Sequence, residues 1–254
     1  MLIYYIKFVI FDNCIPMKIN LKAHIPNSIT LLNLFCGCIA VVFASQSNFE
    51  LAFYWVCLGI FFDFFDGFFA RLFKVSSPLG LQLDSLADMV TSGLVPGFVM
   101  FSMMQKCQNS GVLFLILPYL GFIITLGACY RLANFNIDTR QTDSFIGLPT
   151  PANTLFILSL PLVLAHSNSL MILEILTNQY FLLVISLFSA YMMNAEILLF
   201  SLKIKEFSLK KNGLQIVFVS LSVLLLIFFG YLGIPLIIST YILLSVVNNR
   251  FLKK

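Results

Sequence analysis

From Leu214 to Tyr231 the chain runs eighteen residues without one charged side chain. Such a stretch has few options. About twenty apolar residues in a helix cross the hydrocarbon of a bilayer, and only a helix or a closed barrel satisfies its own backbone there. Runs of this kind recur at 28–46, 51–73, 84–104, 112–137, 149–166, 180–201, 214–231 and 234–248. Only 10% of the residues are charged, against about 25% in soluble domains. The expectation is an all-α polytopic membrane protein with about eight transmembrane helices. The six cysteines form no CxxC pair and most lie in apolar runs, which excludes a disulfide scaffold and a zinc site. Nothing in the pattern calls for a nucleic-acid partner.

The fifteen Lys and Arg residues set the expected orientation. Lys7, Lys18 and Lys22 precede the first run, and Arg71 and Lys74 follow the second. Arg131 and Arg140 close the fourth, and Lys203, Lys205, Lys210 and Lys211 follow the sixth. Arg250, Lys253 and Lys254 end the chain, and Lys106 alone falls on the other side. Fourteen against one is a strong positive-inside bias, so both termini are expected in the cytoplasm. The N-terminal residues make a poor signal peptide, since Lys7 and Asp12 break a short apolar stretch that lacks a small-residue cleavage site. Residues 1–25 read as an interfacial segment with Lys18 and Lys22 turned to anionic headgroups, and Met17 is an alternative start.

Within this apolar chain the stretch FFDFFDGFFAR, residues 61–71, sets two aspartates and an arginine among six phenylalanines. A charge at the bilayer centre costs roughly 2.5–3.5 kcal/mol on insertion scales, so something must compensate it. Asp63, Asp66, Gly67, Ala70 and Arg71 share one helix face by their i, i+3, i+4, i+7, i+8 spacing. After a connection with Ser76, Ser77 and Pro78, Gly80, Asp84 and Asp88 repeat at i, i+4, i+8. Two antiparallel helices joined by that short connection would bring both acid faces together. Each acidic pair spans about 4.5–6 Å along its axis, the scale of a two-metal site with ions about 3.5–4 Å apart. Oxygen ligands without histidine or cysteine favour Mg²⁺, Mn²⁺ or Ca²⁺ over zinc. The alternative is that Arg71, Lys74 and Arg131 neutralise the aspartates, or that these sit in the headgroup region.

The pattern Asp63-x2-Asp66-Gly67-x2-Ala70-Arg71-x8-Gly80-x3-Asp84-x3-Asp88 resembles the signature of the CDP-alcohol phosphatidyltransferase family at every defined position. PNSITLLNLFCG (26–37), RLANFN (131–136) and FIGLPTPA (145–152) look like stretches of the bacterial-type phosphatidylserine synthases within it. Runs six to eight match only in being apolar. The resemblance implies displacement of CMP from CDP-diacylglycerol by an alcohol, with two divalent ions, Mg²⁺ or Mn²⁺. It implies Asp63, Asp66 and Asp84 as metal ligands, and Asp88 as the general base that also touches the second metal. Gly67, Ala70 and Gly80 would accommodate the nucleotide, Asn27 and Thr30 would help enclose it, and Arg71 and Ser77 would bind phosphate or lipid headgroup oxygens. It further implies an active site facing the cytoplasm of a bacterial inner membrane, contact with membrane lipids and a homodimer. The expected organisation is an N-terminal segment 1–25, a transmembrane catalytic domain 26–248 with the signature hairpin at 51–104, and a basic tail 249–254.

Serine is the favoured acceptor. Arg131, Asn134 and Asp138 form a polar face at i, i+3, i+7, on which Arg131 either meets an amino-acid carboxylate or anchors the helix end. Thr150 and Asn153 either add hydrogen bonds there or cap a helix. Asn134 stands where the serine enzymes often carry an arginine, and Phe68 where they often have a basic residue, so inositol or glycerol 3-phosphate stays open. The Thr30, Asn33, Gly37 stripe either lines the nucleotide cleft or forms a small-residue helix contact. A transporter using midplane carboxylates would spread its acids over several spans; here four lie within 26 residues.

Overall fold

The computed structural model describes residues 21–75, 77–107, 112–138, 145–200 and 213–252. Residues 1–20, Arg140, the lysines at 203–211 and the last two lysines lie outside them, as do the side chains of Lys22 and Arg250. The elements in chain order are α1 (Leu21–Ser45), α2 (Phe49–Leu72), α3 (Pro78–Asp88), a π-helical segment (Met89–Leu94) and α4 (Val95–Gln105). Then come α5 (Val112–Ile116), a 3₁₀ segment (Leu117–Phe122), α6 (Ile123–Ile137), β1 (Phe145–Ile146), α7 (Thr150–His166) and α8 (Leu170–Leu176). The chain closes with α9 (Gln179–Asn194), β2 (Leu198–Leu199), α10 (Gly213–Phe229), a 3₁₀ turn (Gly230–Leu232) and α11 (Gly233–Leu252). The architecture is all-α apart from β1 and β2, a two-residue antiparallel pair with Phe145 opposite Leu199.

Among the described residues, length and apolar composition make five stretches long enough to cross a membrane, and six if the pair α8 and α9, bent by 69°, counts as one. α7 is apolar but only 17 residues long. The observed elements therefore differ from the eight expected runs, each for a local reason. The run expected from residue 84 begins at Pro78, because Ser77 caps that helix by accepting Gly80 N at 2.9 Å and proline suits the first helical turn. The run expected to reach 201 stops at Asn194, whose side chain turns back onto Gly127 O and Ala190 O, both at 3.0 Å. The run 112–137 contains a 3₁₀ segment around Pro118. The expected break near 231–233 is present. A β-carbon on Gly233 would lie 2.5 Å from Leu225 O, eight residues back, so the chain reverses there.

α1 packs along α2 through Ala40, Ala44, Ala52 and Val56, all fully buried. Small side chains let two backbones approach closely, which is how helices associate where lipid is as apolar as leucine. The core continues through Val95, Val99, Met100 and Met104 of α4 and Ile157, Leu158 and Leu162 of α7. Phe61, Phe64 and Phe68 point outward, more than 40% exposed. At one end of the bundle, connections far apart in sequence meet. Tyr231 Oη lies 3.0 Å from Tyr54 Oη, the His166 ring is 4.8 Å from the Tyr231 ring, and Lys106 Nζ sits 4.7 Å above the Phe49 ring.

Candidate active site

At the other end, around the 73–77 connection, α1, α2 and α3 line an open cleft of about 220 Å³. α1 contributes Pro26, Asn27 and Thr30, and α2 contributes Asp66, Gly67 and Ala70. Val75 and Ser77 of the connection, with Gly80, Leu81 and Asp84 of α3, complete the lining. The reversal needs a residue in the left-handed region, which Lys74 adopts at φ 53°. The cap of Ser77 on Gly80 then starts α3 with its Gly80, Asp84, Asp88 face toward α2.

The two acid faces meet. Asp63, Asp66 and Asp84 each bring one oxygen to within 4.8 Å of the others. Asp88, a turn further along α3, has its carboxylate beside that of Asp63. α1 grips this group at two heights. Thr30 Oγ1 donates to Asp66 Oδ2 at 2.5 Å, and Asn33 Nδ2 donates to Asp88 Oδ1 at 3.1 Å. No cationic side chain among the described residues is a partner of any of the four carboxylates, so neutralisation by Arg71, Lys74 or Arg131 is not what this arrangement uses. Carboxylates this close need a proton or a cation between them. Three oxygen donors from three separate residues, with no sulfur or imidazole, fit a hard divalent cation. The floor beside them is open: a β-carbon on Gly67 would meet nothing within 4 Å, which leaves room for a flat ligand against the α2 backbone.

The sequence that builds this site has relatives. The family model described as CDP-alcohol phosphatidyltransferase matches residues 23–247. The chain belongs to the CDP-alcohol phosphatidyltransferase family. It is 36% identical over 132 residues to a protein of Bacillus subtilis named CDP-diacylglycerol–serine O-phosphatidyltransferase, covering 50% of this chain and 70% of that one. A Helicobacter pylori protein of the same name is 33% identical over 207 residues, covering 81% of this chain and 84% of the relative. One from Saccharomyces cerevisiae is 31% identical over 170 residues, covering 61% and 58%. As a family member with several membrane-length helices, the chain is an integral membrane protein.

The remaining expected residues of this CDP-alcohol phosphatidyltransferase lie in distinct places. Arg71 is exposed in the last turn of α2, where a cation complements the helix dipole, and does not line the cleft. Arg131 is 8% exposed and donates Nη1 to Ile146 O at 2.8 Å and Met193 O at 2.6 Å. It ties β1 to the end of α9. Asn134 is exposed, whereas Asn136 faces α3 and donates Nδ2 to Ser85 Oγ at 2.9 Å. Capping by Thr150 or Asn153 does not occur. Pro149 is the N-cap of α7 without a side-chain bond, and Asn153 is buried against Ser189, whose hydroxyl donates to Asn153 Oδ1.

Sequence reasoning left two contacts unassigned. Asn33 was legible as a polar residue one turn from Thr30, but its partner Asp88 lies 55 residues on. Thr91, which donates Oγ1 to Asn33 O at 3.1 Å, carried no distinguishing pattern.

Proposed function

We propose that the chain transfers the phosphatidyl group of CDP-diacylglycerol to the hydroxyl of L-serine, releasing CMP and forming phosphatidylserine. The observation that carries the chemistry is the meeting of the Asp63, Asp66 and Asp84 oxygens within 4.8 Å beside a cleft with an open glycine floor. Serine rests on the activity for which the relatives are named, the Helicobacter protein above all, whose match covers most of both chains. Asp63, Asp66 and Asp84 would hold a pair of Mg²⁺ or Mn²⁺ ions, with Asp88 also a ligand, and the ions would supply charge neutralisation for the diphosphate and its departing CMP. Gly67, Ala70 and Gly80 let the cytidine lie against the helix backbones while Asn27 and Thr30 close over it. Ser77 serves the phosphate oxygens in the cleft, and Arg71, outside its lining, meets lipid headgroup oxygens beside it. Asp88 accepts the proton of the serine hydroxyl as that oxygen bonds to the lipid-bearing phosphorus. The phosphorus–oxygen bond to CMP breaks in the same displacement.

In this reading the chain crosses the bilayer about eight times with both termini and the cleft in the cytoplasm of a bacterial inner membrane, and it works as a homodimer. The fourteen-to-one distribution of basic residues supports the orientation. So does the meeting of Glu50, Lys106, His166 and Tyr231 at the end of the bundle away from the cleft. Membranes bearing the chain, given CDP-diacylglycerol, Mn²⁺ and labelled serine, inositol or glycerol 3-phosphate, test the reaction. CMP release and lipid labelling are expected with serine, and both are lost on Asp88→Asn. Labelling by another alcohol would replace the acceptor, and full turnover by Asp88→Asn would remove it from the role of base.

A further inference from the structure

Asn33 is fully buried in the middle of α1, and α2 is cleared at Gly59 to receive it. A β-carbon on Gly59 would stand 3.0 Å from Asn33 Oδ1 and 2.9 Å from Thr91 Cγ2, and one on Gly37 would stand 2.5 Å from Thr91 Oγ1. The amide donates Nδ2 to Asp88 Oδ1 at 3.1 Å, yet Asn33 Oδ1 is buried without a partner. An unpaired buried amide oxygen costs about 1–3 kcal/mol. Turning the amide over would set oxygen against carboxylate, so Asp88 decides its orientation.

The chain after Asp88 is held with equal care. The π-helical segment Met89–Leu94 begins at the next residue. Thr91 Oγ1 binds Asn33 O on α1 at 3.1 Å, Ser92 O accepts Thr154 Oγ1 of α7 at 2.9 Å, and Gly93 O accepts Thr125 Oγ1 of α6 at 2.9 Å. One extra residue in a turn rotates the downstream helix by about 100° relative to the upstream one. The acid face of α3 can thus address the cleft while Val95, Val99, Met100 and Met104 enter the core.

We propose that Asn33 is a positioning residue for Asp88. By fixing one carboxylate oxygen, it sets the plane in which the other receives the acceptor's proton. The inference rests on Asp88 being that base.

The full-length chain in detergent micelles with CDP-diacylglycerol, serine and Mn²⁺ tests it. Asn33→Leu, close in size and without the donor, should lower kcat at least about tenfold. KM for CDP-diacylglycerol should stay within about threefold, because the Asp63, Asp66 and Asp84 group is untouched. Asn33→Asp, which sets a second carboxylate against Asp88, should lose more than Asn33→Leu. Thr91→Val removes an equally buried bond between the same helices without touching the amide, and should keep kcat within about threefold while lowering the melting temperature. The proposal is overturned if Asn33→Leu keeps kcat within threefold, if KM moves as much as kcat, or if Thr91→Val loses as much turnover. It is also overturned if neither Asn33 variant accumulates while Thr91→Val does, since Asn33 would then serve folding. Failure of Asp88→Asn to lose activity would instead overturn the base assignment, so the two failures are distinguishable.

Discussion

The two ends of the described chain carry helical hairpins of similar greasiness and opposite character. α1 and α2 bury Thr30, Asn33 and Asp66 between them beside a row of alanines. α10 buries Phe218 alone, and turns Val217, Val223, Leu224, Ile227 and Phe228 outward. In water the second hairpin would be an aggregation hazard; in lipid its exposed faces cost nothing. Apolar exposure is therefore uninformative in such a protein. Buried polar groups say more, because each must find a partner or a purpose.

The sharpest way to break that contrast is at the acids. Asp84→Ala should reduce CMP release by about 10³-fold or more, since it removes one of three converging oxygens; a loss below tenfold would disconnect the cluster from turnover. Within α1 and α2, two glycines should separate fold from site. Gly37→Ala pushes a methyl into Thr91 and should destabilise by about 1–3 kcal/mol, read as a lowered melting temperature. Gly67→Ala meets no atom and should melt like the parent while raising KM for CDP-diacylglycerol severalfold. If Gly67→Ala instead left KM unchanged, the open floor would not be where the nucleotide lies. The smallest effect belongs to the far hairpin. Val223→Ala, on an outward face of α10, should keep activity within about twofold and stability within about 0.5 kcal/mol.

How much of this could be read beforehand depends on how local the cause is. The acid faces were legible because helix periodicity alone aligns Asp63 with Asp66 and Asp84 with Asp88, and Ser77-Pro78 announces where the second helix starts. Residues expected around the nucleotide, Asn27, Thr30, Gly67, Ala70, Ser77 and Gly80, do line one cleft. The π-helical segment was not legible. Its wide turn is held by hydroxyls from α6 and α7 and by its own Thr91 on α1, and nothing in Met89–Leu94 itself signals the extra residue. Arg131 was ambiguous for a related reason, since its partners are backbone carbonyls at 146 and 193, which no side-chain pattern encodes. The span count suffered where polar residues such as Asn194 end a helix early inside an apolar run.

The outward phenylalanines of α2 share a helix with the acids they flank. A substrate approaching sideways could leave its fatty tails among bilayer neighbours and offer only its head to the cleft. Extracting about thirty chain carbons into water would cost on the order of 25 kcal/mol, at about 0.8 kcal/mol per methylene. A catalyst entered in that way would not meet that barrier, and would release its product already in place as part of the leaflet.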